Sequence, residues 1–308
     1  MTTSRAFSAA AAAAFLMLLP AAASAGHRHS SRYSGVSISE GHDPRQCSDL
    51  TIEFDGAAAA RAEERRTIPV VAGQPLRIES GQNSGVRVRG ADRADFEVLV
   101  CKGAPDAGAL PSIQAETSDG RLGVHGPEGE DWVGYLLITA PRGAAIDVDA
   151  TNGPVGLSGL SGRVSVHSEN GPISLSDCPG EIDAEAQNGP ISVHGAGGKL
   201  RVETRNGPIS VALSGSSWSG SGLDARAVNG PVSLAVPTDY RTGTVVQSLG
   251  HSPFQCRGEG CAAVRRTWND DGKKLELGDG PVLVRLSTEN GPVSVRTGAS
   301  GSEEEDED

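Results

Sequence analysis

"TNGPVGLSGLSGRVSVHSENGPISLSDCPGEIDAEAQNGPISVHGAGGKLRVETRNGPISV", residues 151–211, contains Asn-Gly-Pro four times at a spacing of eighteen residues. Its glycines recur twice as often: Gly153, Gly162, Gly171, Gly180, Gly189, Gly198 and Gly207 are nine residues apart. After each comes an apolar pair separated by one residue: Val155/Leu157, Val164/Val166, Ile173/Leu175, Ile182/Ala184, Ile191/Val193, Leu200/Val202 and Ile209/Val211. Alternation is the period of a β-strand with one buried face, and a glycine ahead of each strand is expected to supply a positive-φ corner. A strand this short cannot bury its apolar side alone, so successive units must stack and share a core.

The chain is therefore expected to be an all-β protein, a β-solenoid (β-helix) whose eighteen-residue coil consists of two nine-residue strand-turn units. Hexapeptide coils are excluded, because Ser161, Pro179 and Gly197 occupy a position that such a period would make apolar. Units opening with Asn-Gly-Pro alternate with plainer ones, which predicts a flattened coil of two strands with neighbouring coils about 4.8 Å apart. The corner asparagines Asn152, Asn170, Asn188, Asn206 and Asn229 are expected to stack as an amide ladder.

The two outer faces should differ chemically. On the Asn-Gly-Pro side the outward positions are Gly156, Ser174, Ser192, Ser210 and, after a five-residue insertion, Ser233, a flat candidate binding face. The other side places Arg163, Glu181 and Lys199 at one rung position and Ser165, Asp183 and Arg201 at the next, so opposite charges should meet in neighbouring coils and penalise slipped registers.

Working outward, Arg5, the apolar run Ala9 to Leu19 and Ala23-Ser24-Ala25 read as a signal peptide over residues 1–25, cleaved after Ala25; the run is too short to span a bilayer. Residues 26–45 read as a flexible leader, in which His27, Arg28 and His29 suggest no more than weak metal affinity. Residues 46–140 read as irregular N-terminal β coils, 141–236 as the regular solenoid, 275–297 as the final coils and 298–308 as an acidic disordered tail. Glu303 to Asp308 supply six of the negatives behind a net charge of −12, and no basic patch interleaved with aromatics points to nucleic acid.

Residues 237–274 read as a disulfide-clipped insertion containing Tyr240, Phe254 and Trp268 in a chain with only 4% aromatics. It is either a binding loop or a cap over the core edge. Disulfides Cys47–Cys101 and Cys256–Cys261 are expected, which leaves Cys178 beside Pro179 as a turn residue.

Asp183, Glu185 and Glu181 invite comparison with sugar-cleaving carboxylate pairs, but they have complementary cationic neighbours and no aromatic platform. His167 and His194 fall on opposite faces, and no glycine corner carries the aspartate of a calcium-binding nonapeptide. No cofactor or metal is expected.

The stretches "LRIESGQNSGVRVRGADRADFEV" and "YLLITAPRGAAIDVDATNGPVGLSGLSGRVSVHSENGPISL" resemble the putative-adhesin family of bacterial envelope proteins, whose repeated N-G-x-[IV]-x-[VL] coils are similar to those here. The resemblance spans roughly residues 76–236 and the final coils to Val295. It implies an exported β-solenoid without catalytic residues to carry over; this chain departs by placing Pro after almost every Asn-Gly and by its cystine-containing insertion. The expected function is a non-enzymatic, adhesin-like binding or scaffold module of the bacterial cell envelope, periplasmic or at the cell surface. It would be a monomer without a transmembrane segment in the mature chain, recognising an envelope protein or glycan. The alternatives are a carbohydrate-active β-helix enzyme and a filament-forming structural protein.

Overall fold

The computed structural model describes residues 30–298 apart from 34, 42, 82–83, 251 and 270–271. The signal peptide, the His27–His29 segment and Glu303 to Asp308 lie outside the described residues. The fold is all-β, its only helical features among the described residues being the 3-10 turns Cys47–Asp49, Leu110–Ser112 and Glu259–Ala262.

Successive strands of the repeat alternate between two large sheets of twelve and eleven strands. In the twelve-stranded sheet Arg163–Ser168, Glu181–Asn188 and Gly197–Asn206 are parallel neighbours, with Val164, Ile182 and Leu200 in register. In the eleven-stranded sheet Ile173–Ser176, Ile191–Gly195 and Ile209–Leu213 are parallel, and Ile173, Ile191, Ile209 and Val232 share one register row. Each eighteen-residue unit is thus one rung, with a strand in either sheet. The inward apolar rows meet between the sheets in a single core, where Ile173, Ile191 and Ile209 are fully buried. Each such side chain contributes about 1.5–3 kcal/mol through burial.

The Asn-Gly-Pro corner has three separate reasons. Asn Nδ2 donates to the Asn Oδ1 one rung back at every step, from Asn170 to Asn152 (3.2 Å), Asn188 to Asn170 (3.0 Å), Asn206 to Asn188 (2.9 Å), Asn229 to Asn206 (3.1 Å) and finally Asn290 to Asn229 (3.1 Å). Proline gives up an N–H that the ladder does not use, while its carbonyl accepts from the strand of the preceding rung: Ile173 N donates to Pro190 O and Ile191 N to Pro208 O, both at 2.9 Å.

The glycines overturn the expectation of positive-φ corners. Of the seven in the repeat, only Gly153 and Gly198 have positive φ. What selects glycine is the approach of one corner to the next: a Cβ on Gly171 would stand 2.0 Å from Gly153 O, on Gly189 2.2 Å from Gly171 O, and on Gly207 2.1 Å from Gly189 O. No side chain fits in that column.

The rungs are not stacked in sequence order at either end. The last rung, Val282–Asn290 with Val293–Thr297, inserts between Ser219–Asn229/Val232–Val236 and Gly243–Ser248/Phe254–Arg257. Residues 237–274, read as an insertion, therefore supply two strands of the stack itself. Beyond them the antiparallel strands Gly272–Leu277 and Arg265–Asn269 close the twelve-stranded sheet. The opposite end mirrors this, since Leu76–Ser80/Val86–Ala91 lies between the later Arg121–His125/Val133–Pro141 and Ile146–Ala150/Val155–Ser158.

The N-terminal part corrects two further expectations. Val36–Glu40, expected within a flexible leader, and Leu50–Phe54, expected within a β coil, are neighbours in a separate four-stranded antiparallel sheet. Its apolar face (Val36, Ile38, Leu50, Ile52, Phe54) packs on Leu99, Cys101, Val133, Tyr135 and Leu137 of the eleven-stranded sheet, forming a second core. The cause is that Val133–Pro141 is apolar on both faces, so its outer side must also be covered. The Cys47–Cys101 disulfide ties the two layers together.

Candidate functional site

The outer face of the eleven-stranded sheet presents a regular row of small side chains. Gly156, Ser174, Ser192, Ser210, Ser233 and Ser294 occupy one register row across six rungs. Because each is the outward residue between two buried ones, the strand period aims every hydroxyl the same way. Ser192 Oγ donates to Ser174 Oγ at 3.3 Å and Ser233 Oγ to Ser210 Oγ at 3.1 Å. The parallel outward row reads Ser158, Ser176, His194, Ala212, Ala235 and Arg296. Apart from His194 and Arg296, the side chains of the two rows are small and leave the sheet open to a flat or extended ligand.

The outer face of the twelve-stranded sheet carries the charge ladder. Glu181 sits between Lys199 at 2.8 Å and Arg163 at 3.7 Å, and Lys199 foremost holds its carboxyl below the usual carboxylate range. Asp183 lies in register between Ser165 and Arg201, whereas the close partner of Arg201 is Glu203 at 3.7 Å. A shallow groove of about 500 Å³ runs over Arg163, Asp183, Lys199, Arg201, Asp224 and Arg285. Asp183 and Glu185 are exposed in this open ladder.

The three aromatics of residues 237–274 are not brought together. Tyr240 is buried in the main core, Phe254 is half-buried against it in register with Val293, and Trp268 alone is 59% exposed, on the outermost strand. The Cys256–Cys261 disulfide closes the turn beside Phe254–Arg257. Cys178 is free and buried, with burial pushing its thiol up. His167 and His194 stand in different sheets, and among the described residues no three His, Cys, Asp or Glu side chains are grouped to hold a metal.

Sequence reasoning missed the junction between the serine face and the N-terminal sheet. There Arg87, in register with Gly156, pairs with the buried Glu40 at 3.0 Å, and the fully buried Tyr135 hydroxyl donates to the other Glu40 oxygen. Burial first, and Glu40 second, push the Tyr135 phenol well above its ordinary value of 10. Burial opposes the Arg87 charge, but Glu40 and Tyr135 outweigh it and hold the guanidinium above its usual value. The available signal was "VSISE" at residues 36–40, an alternating strand that ends in an acid on its apolar side.

No family model matches the chain, and no curated protein matches it. Among solved structures, a "putative cell adhesion protein" from Clostridium sporogenes aligns at 10% identity over 77% of this chain and 100% of its own, with a TM-score of 0.33. A "putative lipid binding protein" from Parabacteroides distasonis aligns at 11% identity over 76% of this chain and 96% of its own, TM-score 0.26. A "putative adhesin" from Bacteroides fragilis aligns at 14% identity over 77% and 97%, TM-score 0.27. Likenesses this distant carry no argument about fold or function.

Proposed function

We propose that the protein is an exported, non-enzymatic β-solenoid of the bacterial cell envelope, an adhesin-like binding or scaffold module that meets an envelope protein or glycan through the serine face. The observation behind this reading is the uninterrupted row Ser174, Ser192, Ser210, Ser233 and Ser294 on parallel strands of one sheet. Regular hydroxyls at strand spacing suit a partner that is itself extended and polar. Export follows from the signal-peptide reading, with which two disulfides agree because they persist in oxidising compartments. No helix among the described residues is long and apolar enough to cross a membrane.

Trp268 is the remaining candidate from residues 237–274, since Tyr240 and Phe254 serve the core. The enzyme alternative is disfavoured by the setting of Asp183 and Glu185 in an exposed ladder with cations alongside. The filament alternative is disfavoured by the stack's ends. The outermost strand Ala60–Pro69 carries Arg61, Glu63, Glu64, Arg65 and Arg66, and Arg265–Asn269 carries two arginines, charges that discourage edge pairing. Sedimentation at high concentration is expected to show a monomer.

The test compares retention of the mature protein on envelope fractions with that of a Ser192→Glu/Ser210→Glu variant and of Trp268→Ser. Loss in the serine variant with retention in Trp268→Ser is expected. Equal retention of the serine variant would sink the reading, and selective loss in Trp268→Ser would move the site to the stack's end.

A further inference from the structure

At the rim where the N-terminal sheet leaves the outer face of the eleven-stranded sheet, a pocket of about 220 Å³ is lined by Arg45, Arg65, Arg87, Arg89, Glu97 and Leu137, among others. Its floor is laid by register. Arg87 and Arg89 on one strand face Leu137 and Thr139 on the next; these in turn face Leu99 and Glu97, and Leu99 faces Arg65 on the outermost strand. Arg45 comes from the loop between Val36–Glu40 and Leu50–Phe54, which reaches over the rim.

The one carboxylate in the lining is already committed. Glu97 receives Arg65 at 2.7 Å on one oxygen and Arg93 at 2.6 Å on the other, and Arg93 foremost holds its carboxyl below the usual range. Arg45 is held by Asp43 at 3.0 Å, and Arg87 by Glu40 at 3.0 Å. Arg89 is different: among the described residues no acid pairs with it, although it is half-buried. Two orphaned donors flank it. Arg87 Nε, two residues earlier, and Ser158 Oγ, its register neighbour, are buried without a hydrogen-bond partner among the described residues. Buried donors ordinarily find acceptors, and a guanidinium half out of water without an anion loses solvation without recompense.

The geometry points to an oxyanion site here, which we assign to a phosphate group, either inorganic phosphate or a phosphate monoester. Guanidiniums approach from three separate segments, and such a spread suits a tetrahedral anion with acceptors on every side. The apolar floor of Leu99 and Leu137 leaves space for a short organic substituent. This site goes beyond the serine-face reading and does not depend on it.

The experiment is calorimetric titration of the mature chain, at fixed ionic strength in chloride, with inorganic phosphate and separately with glycerol phosphate. Saturable binding is expected, weakened about tenfold or more by Arg89→Gln, as for the loss of one charge-assisted contact. Arg163→Gln, on the opposite sheet, should leave it unchanged, and so should the Ser192→Glu/Ser210→Glu variant, so failure of the serine-face reading and failure of this site are told apart. Tighter binding of glycerol phosphate would identify an ester as the ligand, whereas binding of phosphate alone would identify the free anion. Absence of saturable binding by either compound, or equal affinity in Arg89→Gln and the unsubstituted chain with unaltered unfolding curves, would overturn the assignment.

Discussion

Gly189→Ala tests the packing logic of the whole stack. The added Cβ would sit 2.2 Å from Gly171 O, whereas an ordinary contact begins near 3.4 Å, and the obstructing atom is backbone and cannot rotate aside. Relief requires the two corners to part by roughly 1 Å. The bonds that cross the same gap are short: Asn188 N to Glu169 O at 2.8 Å and Asn188 Nδ2 to Asn170 Oδ1 at 3.0 Å. Parting the corners that far breaks both, at about 1 kcal/mol each. Strain in a close-packed column adds about 1–3 kcal/mol. The expected destabilisation is about 3–5 kcal/mol, a large part of a domain's typical 5–15 kcal/mol. Urea unfolding followed by circular dichroism reads it directly. Gly143→Ala, whose Cβ would meet nothing within 4 Å, is the control and should lie within about 0.5 kcal/mol of the parent. Gly189→Asn separates the two possible reasons for glycine. Asparagine tolerates a left-handed backbone but still carries a Cβ, so it should be as damaging as alanine. A mild Asn variant beside a damaging Ala variant, or a harmless Ala variant, would refute the close-approach argument.

Three further outcomes follow from the same structure. Ile191→Asp should unfold the stack, because it removes a fully buried side chain, at about 2–5 kcal/mol, and buries a carboxylate without a partner, whereas Ser192→Asp, one residue along and outward, should leave the urea midpoint nearly unchanged; equal tolerance would refute the inward and outward assignment. Tyr135→Phe should flatten the alkaline limb of stability: the folded phenol titrates well above 10, so its contribution is complete below pH 10 and is lost as pH rises beyond it, where the unfolded phenol ionises first. At neutral pH this variant should lose about 1–3 kcal/mol as one oxygen of the buried Glu40 loses its donor while Arg87 stays on the other, and parallel alkaline curves for variant and parent would contradict the argument. Amide exchange in Val282–Asn290 and Val293–Thr297 should be as slow as in Gly197–Asn206, since rungs cover the last rung on both sides; early exchange there would speak against its inserted position.

The repeat was legible because it answers to one constraint at a time. Ile173, Ile191 and Ile209 must be apolar, Gly171, Gly189 and Gly207 must lack a side chain, and Asn170, Asn188 and Asn206 must bond to copies of themselves. Each constraint recurs, so its period can be counted. The order of the rungs was not legible, because Val293 pairs equally well with any strand of matching pattern. Its true neighbours, Val232 and Phe254, are set by which strands remain unpaired once the chain has doubled back. Residues 237–274 looked foreign to the stack for a related reason. Pro253 O accepts from Val293 N, as the other corner prolines accept from their neighbours, but Ser252 and His251 replace Gly and Asn before it and hide the corner.

The same asymmetry explains why the outer faces say less than the core. Inward positions are fixed by packing and outward ones only by register, so Ser174 and Ser192 on one sheet, or Glu181 and Lys199 on the other, satisfy the fold equally well whatever they bind. Function must then be sought where an outward residue breaks the local pattern at some cost. The serine row breaks no rule, and its claim rests on extent. Arg87 and Arg89 do break one, since they place two guanidiniums where the succeeding rungs carry glycine and serine. Glu40 neutralises the first, at the expense of burying a carboxylate that needs Tyr135 as its second partner. No acid neutralises the second among the described residues. A stack built to fold could have carried serine at both positions, so the retained charge at Arg89 is the clearest mark that this surface answers to a ligand as well as to its own packing.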